Sequence, residues 1–151
     1  MKLPDDWREF IELLHAHEVD FVVVGAHALA ANGRPRATQA IDFFVSPTVA
    51  NAERLGHVLR AFGFAALADE SHLFAEPGRM ASLGNPPLRI DVMNATTGVS
   101  FEEAMAGAIE ARFDGLLVPF LGAAQLRANK LASGRPKDLL DIALLDEMDD
   151  A

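Results

Sequence analysis

The chain reads as a mixed α/β domain: a mixed β-sheet flanked by helices, closed by a C-terminal helical segment. Three observations predict this. Short apolar runs suited to buried strands alternate with stretches of helical spacing over the first 62 residues, two further strand-like runs follow, and the last thirty residues hold two helical stretches divided by Gly134. The 151 residues suit one domain, with a core over about 18–120 and C-terminal helices over about 122–148. Such a length buries roughly 70% of the unfolded surface, enough for a core without staples.

Trp7, Phe10, Ile11 and Leu14 follow the i, i+3, i+4, i+7 spacing of an amphipathic first helix, with Asp5 and Asp6 near its positive end. Phe21-Val22-Val23-Val24, bounded by Asp20 and Gly25, predicts a buried strand. Ala26 to Ala31 reads as a helix that stops at Asn32-Gly33. After the basic loop 34–38, Ile41, Phe43 and Val45 share one face of a strand and Ala40, Asp42 and Phe44 the other. A helix follows over 49–62, and residues 65–75 read as a further strand with poor alternation. Beyond the turn Gly84-Asn85-Pro86-Pro87, Leu88, Ile90 and Val92 alternate with Arg89, Asp91 and Met93 as a strand does. Ser100 and Glu103 form a capping box for a short helix to about Ala108. Leu116-Leu117-Val118 reads as a last, short edge strand closed by Pro119. Helices over 122–132 and 136–148 complete the chain.

Composition removes several classes of function. Half the residues are hydrophobic and 23% charged, which excludes disorder. With no cysteine, disulfides, thiolate zinc sites and a cysteine nucleophile are excluded. A formal charge of −9 argues against a broad nucleic-acid-binding surface. No apolar run approaches the ~20 residues of a membrane span, and the start Met1-Lys2-Leu3-Pro4 has no signal-peptide character, so a soluble, cytoplasmic protein is expected.

Four features carry candidate chemistry. Gly25-Ala26 lies at a strand-to-helix junction, where backbone N–H groups can meet a phosphate, although a tight turn explains one glycine equally well. Asp42 and Asp91 each interrupt an apolar strand, a costly place for a carboxylate unless it is paired, hydrogen-bonded or metal-bound. A salt bridge to Arg36 or Arg89 accounts for either alone; together they suit Mg²⁺, which takes carboxylate oxygens, water and phosphates. The fourth feature is basic: Lys130, Arg135 and Lys137 cluster in an acidic chain, with Asp138 and Asp141 three apart on a helix face to orient them. His27 follows the glycine turn, where it either faces a phosphate or sits in the core or on the helix surface.

In order, Phe21–Ala30, Gly33-Arg34-Pro35-Arg36-Ala37-Thr38, Ile41-Asp42, Arg89-Ile90-Asp91-Val92 and Lys130–Asp141 resemble the motifs of small nucleotidyltransferases of the DNA polymerase β superfamily, including toxin-type bacterial members. The resemblance spans residues 20–145. It implies transfer of a nucleoside monophosphate from an NTP to a hydroxyl of RNA, protein or a small molecule, with Mg²⁺ or Mn²⁺ as cofactor. Asp42 and Asp91 would be the catalytic metal ligands. Gly25, Ala26, Arg36, Thr38, Lys130 and Lys137 would bind the nucleotide. An antitoxin partner is implied by the toxin-type relatives.

Two departures stand out. Ala26 occupies the place of a second Gly or Ser, and Ala40 that of the first aspartate of an Asp-x-Asp pair. Loss of that carboxylate implies impaired turnover, on the order of 3–5 kcal/mol of transition-state stabilisation. A catalytically silent module that binds nucleotide or a partner is the alternative.

Overall fold

A computed structural model describes residues 3–33 and 39–149, the side chains of 148 and 149 excepted. The elements run α1 (Asp5–Ala16), β1 (Phe21–Val24), α2 (Ala26–Ala31), β2 (Ala40–Val45), α3 (Val49–Ala61), α4 (Ala65–Asp69), a 3₁₀ helix (Ser71–Ala75), β3 (Met80–Leu83), β4 (Arg89–Met93), α5 (Phe101–Ala106), β5 (Ile109–Phe113), β6 (Leu116–Phe120), α6 (Ala123–Ser133) and α7 (Pro136–Asp149). The six strands form one sheet in the order β3-β4-β2-β1-β6-β5. β1 runs antiparallel to β2 and parallel to β6, β2 parallel to β4, and the outer pairs β3–β4 and β5–β6 are antiparallel.

Both faces of the sheet are covered, which is why its central strands are apolar almost throughout. On one face Phe21, Val23, Ile41, Phe43, Val45, Ile90 and Val92 pack with Phe10, Ile11 and Leu14 of α1 and Leu55, Val58 and Leu59 of α3. On the other, Val22, Val24 and Phe44 pack with Ala28 and Leu29 of α2, Phe101 and Ala104 of α5, Leu126 of α6 and Leu145 of α7. Each fully buried phenylalanine, such as Phe10, Phe43, Phe44 and Phe120, contributes about 1.5–3 kcal/mol through removal from water. Strand alternation puts Ala40, Asp42 and Asp91 on this second face, beside the C-terminal helices.

Three expectations about the elements need correction. Residues 65–75 are helical, as α4 and the 3₁₀ turn, and hold no strand. Their packing on α3 sets this: Gly56 of α3 lies so close to Ser71 that a Cβ there would overlap its Oγ. The strand at Leu116 is not an edge, nor does Pro119 close it; β6 runs through to Phe120 between β1 and β5. Proline is tolerated because β6 pairs with β1 at the single register point Val23↔Phe120. The edges are β3 and β5, neither of them expected. The expected capping box is present, with Ser100 Oγ accepting from the Glu103 amide, but its helix ends at Ala106. No helix among the described residues is long and apolar enough to cross a membrane.

Candidate functional site

The topology brings two sequence-distant acids into register. β2 and β4 are parallel neighbours in which Ala40 faces Arg89, Asp42 faces Asp91 and Phe44 faces Met93. Register partners on adjacent strands point to the same face of a sheet. The two carboxyls lie close enough to share a hydrogen bond. From the other side, β1 brings Val24 opposite Asp42, so the chain leaves β1 at Gly25 beside that carboxylate.

Gly25 has a physical reason to be glycine. Its φ of +73° and ψ of −148° fall near a region that side chains rarely adopt. A Cβ there would also overlap Asp42 Oδ2 and stand 3.3 Å from Cγ. The bend therefore forms a cradle for the Asp42 carboxyl that any other residue would fill. Ala26 opens α2 directly after the bend.

The two acids are held differently. Asp91 is buried, accepts a hydrogen bond from Ser82 Oγ at 2.7 Å, and takes Arg89 Nε at 3.0 and 3.2 Å on its two oxygens. Asp42 is partly buried, and its carboxyl is pushed up to about 6. Burial is the main cause, followed by the charge of Asp91 and the hydrogen bond between them, while Arg89 and Lys130 oppose the rise. Such a pair holds a proton or a cation far more readily than two full negative charges.

Lys130, from α6, is almost fully buried, with Nζ 3.4 Å from Asp138 Oδ1 and 3.2 Å from Asp141 Oδ2 of α7. Arg135 Nε adds a 2.6 Å bond to Asp138 Oδ2. Burial would raise the Asp138 carboxyl, but the Arg135 hydrogen bond and the charges of Lys130 and Arg135 outweigh it and hold it below its ordinary value. Lys130 thus ties α6 to α7 while its charge is felt at Asp42. Lys137, by contrast, is exposed on the first turn of α7, and no described bond joins it to either acid. Arg36 and Thr38 lie outside the described residues.

His27 takes the core alternative. It is buried on α2, edge-on to Trp7 and Phe113, and its Nε2 finds no hydrogen-bond partner among the described residues. Burial lowers its pKa. Ser82 was invisible to sequence reasoning because β3 was not foreseen; its only signal is its place opposite Asp91 in the ladder.

As a donor set, Asp42 and Asp91 offer hard carboxylate oxygens beside an open backbone bend, which fits a magnesium-type ion completed by water and phosphate oxygens. Among the described residues no group of three or more His, Cys, Asp or Glu converges.

The mixed six-stranded sheet, the helices on both faces and the C-terminal helical pair define a nucleotidyltransferase-like α/β fold. Among solved structures, the chain is similar to the crystal structure of the lincosamide antibiotic adenylyltransferase LnuA bound to lincomycin, with a TM-score of 0.54 and 14% identity over 95% of this chain and 96% of that one. At that identity the likeness concerns the fold. No protein-family model matches the chain, and no curated protein does.

Proposed function

We propose that this protein transfers a nucleoside monophosphate from an NTP to a hydroxyl group, using the Asp42–Asp91 pair at the Gly25 bend. The observation that carries the reading is the register of the two acids, on one face of the sheet, against a glycine whose missing side chain leaves room for the Asp42 carboxyl. The similarity to an adenylyltransferase structure bound to an antibiotic supports it, and makes a small hydroxylated molecule the favoured acceptor over RNA or protein. An antitoxin partner rests on the sequence resemblance alone.

In this reading the acceptor oxygen forms a bond to the α-phosphorus, the bond from that phosphorus to the bridging oxygen breaks, and pyrophosphate leaves. Asp91, fixed by Ser82 and Arg89, lies beside the acceptor hydroxyl. The hydroxyl proton passes to water at the acid pair. By the sequence resemblance, the amides of Gly25 and Ala26 would meet phosphate oxygens and Arg36, Thr38, Lys130 and Lys137 would bind the nucleotide, with Lys130 acting at a distance through its charge because its ammonium is paired to Asp138 and Asp141. A Mg²⁺ or Mn²⁺ ion held by Asp42 and Asp91 would supply Lewis-acid neutralisation of phosphate charge.

Ala40 favours a second reading, a nucleotide-binding module without turnover. Its methyl stands two residues before Asp42 on the same face, where a third carboxylate would complete the acid cluster. Incubation with each α-labelled NTP, Mg²⁺ and a panel of hydroxylated acceptors, beside calorimetry with the same nucleotides, separates the two. Label transfer establishes the enzyme, and binding without transfer establishes the silent module. Absence of both under all four NTPs refutes the nucleotide site.

A further inference from the structure

We infer that Arg89 is a resident cation of this site, and that it limits the acid pair to one divalent ion per bound nucleotide. The inference rests on the nucleotide reading above and concerns how this chain balances charge without a carboxylate at position 40. Arg89 is the register partner of Ala40, and its guanidinium reaches along β4 to Asp91, with Nε at 3.0 Å from Oδ1. Ala40 is buried and offers only a methyl on that stretch of the face.

The electrostatics follow from these positions. Ionised Asp42 and Asp91 carry two negative charges, and Arg89 offsets one of them permanently, because a guanidinium does not deprotonate. One divalent ion then leaves a net positive site, suited to a triphosphate. A second ion needs further anionic ligands, and the described residues bring no third acid to the pair. Asp91 is poorly placed to bridge two ions, since Ser82 and Arg89 already occupy its oxygens. Arg89 uses only Nε in its described bonds, and its side chain is 39% exposed, which leaves the terminal nitrogens for phosphate oxygens.

The test counts ions. The full chain is loaded with the α,β-methylene analogues of ATP, GTP, CTP and UTP, and bound Mn²⁺ is measured by loss of the free-ion electron paramagnetic resonance signal. Wild type should take one Mn²⁺ per bound nucleotide, and the Ala40→Asp/Arg89→Ala double variant two. Without divalent ions, Arg89→Ala should weaken nucleotide binding about tenfold, the loss of one charge-assisted contact, while Arg89→Lys keeps most of it. Two ions in wild type, or metal-free affinity unmoved by Arg89→Ala, would overturn the role of Arg89 and leave the nucleotide site standing. No binding of any analogue, with or without Mn²⁺, would overturn both.

Discussion

Replacing Gly25 with alanine tests the geometry on which the site depends. Two costs add. The backbone at φ +73° and ψ −148° is strained for any residue with a Cβ, about 1–3 kcal/mol. The new methyl also overlaps Asp42 Oδ2, and forcing that side chain aside costs about another 1–3 kcal/mol. The two terms separate in a cycle with Asp42→Ala. Once the carboxyl is removed, the nearest Asp42 atom is Cβ at 3.6 Å, an ordinary contact, so only the backbone term remains. Urea unfolding of the four proteins should show Gly25→Ala lowering the midpoint by roughly 1–3 M in wild type, given a mid-range slope of about 2 kcal/mol/M. The penalty should be smaller by about 1–3 kcal/mol in the Asp42→Ala background. An equal penalty in both backgrounds would show that the bend does not cradle Asp42, and the argument for a site at that point would fail with it.

Three more perturbations address the charges. Because the folded pKa of Asp42 lies above its ordinary value of 3.8, its contribution to stability is full at low pH and is lost as pH rises toward and through about 6. Thermal unfolding without divalent ions should therefore show wild type losing stability relative to Asp42→Asn between pH 4 and 7, and Mg²⁺ should raise the melting temperature of wild type more than that of the variant; parallel pH curves would contradict the assignment. Lys130→Met leaves two buried carboxylates without their shared cation and should cost about 3 kcal/mol near neutral pH. That deficit should shrink below the ordinary carboxylate range, since the depressed Asp138 contributes stability above its unfolded pKa and loses it as pH falls; a deficit that persists at pH 3 in urea titrations would point to packing instead. His27→Leu removes a buried nitrogen without a described partner and should stabilise by about 1 kcal/mol at pH 7. The gain should grow as pH falls below 6.5, because burial disfavours the charged imidazole, and a loss of stability at pH 7 would mean that Nε2 is satisfied.

The parts of this fold that could be read from sequence are those where one local signal dominates. Trp7, Phe10, Ile11 and Leu14 keep helical spacing because one stripe of α1 faces the sheet, and all four are buried. β1, β2 and β4 announce themselves as apolar runs because both faces of the sheet are covered. The missed edges fail for opposite reasons. β3 has one buried residue, Leu83, so it carries no hydrophobic pattern and exists through its ladder with β4. β5 was readable: Ile109, Ala111 and Phe113 alternate with Glu110 and Arg112, and Asp114-Gly115, both at positive φ, form a two-residue hairpin turn into β6. In α4 and the 3₁₀ turn, five residues each are too few to show a period, and contact with α3 decides the conformation.

The site shows the same division. That Asp42 and Asp91 are unusual is visible in one dimension, because each interrupts an apolar strand. Their meeting depends on a parallel β2–β4 pairing that joins residues 49 positions apart, which no local pattern encodes. The fold supplies the register, and the register turns two isolated polar defects into one electrostatic unit. Arg89 belongs to that unit for the same reason: opposite an acidic residue 40 it would have faced a second carboxylate, whereas opposite Ala40 it is committed to Asp91. The alanine and the arginine are thus two halves of one charge balance, and restoring an acid at position 40 while Arg89 remains should give an internal ion pair.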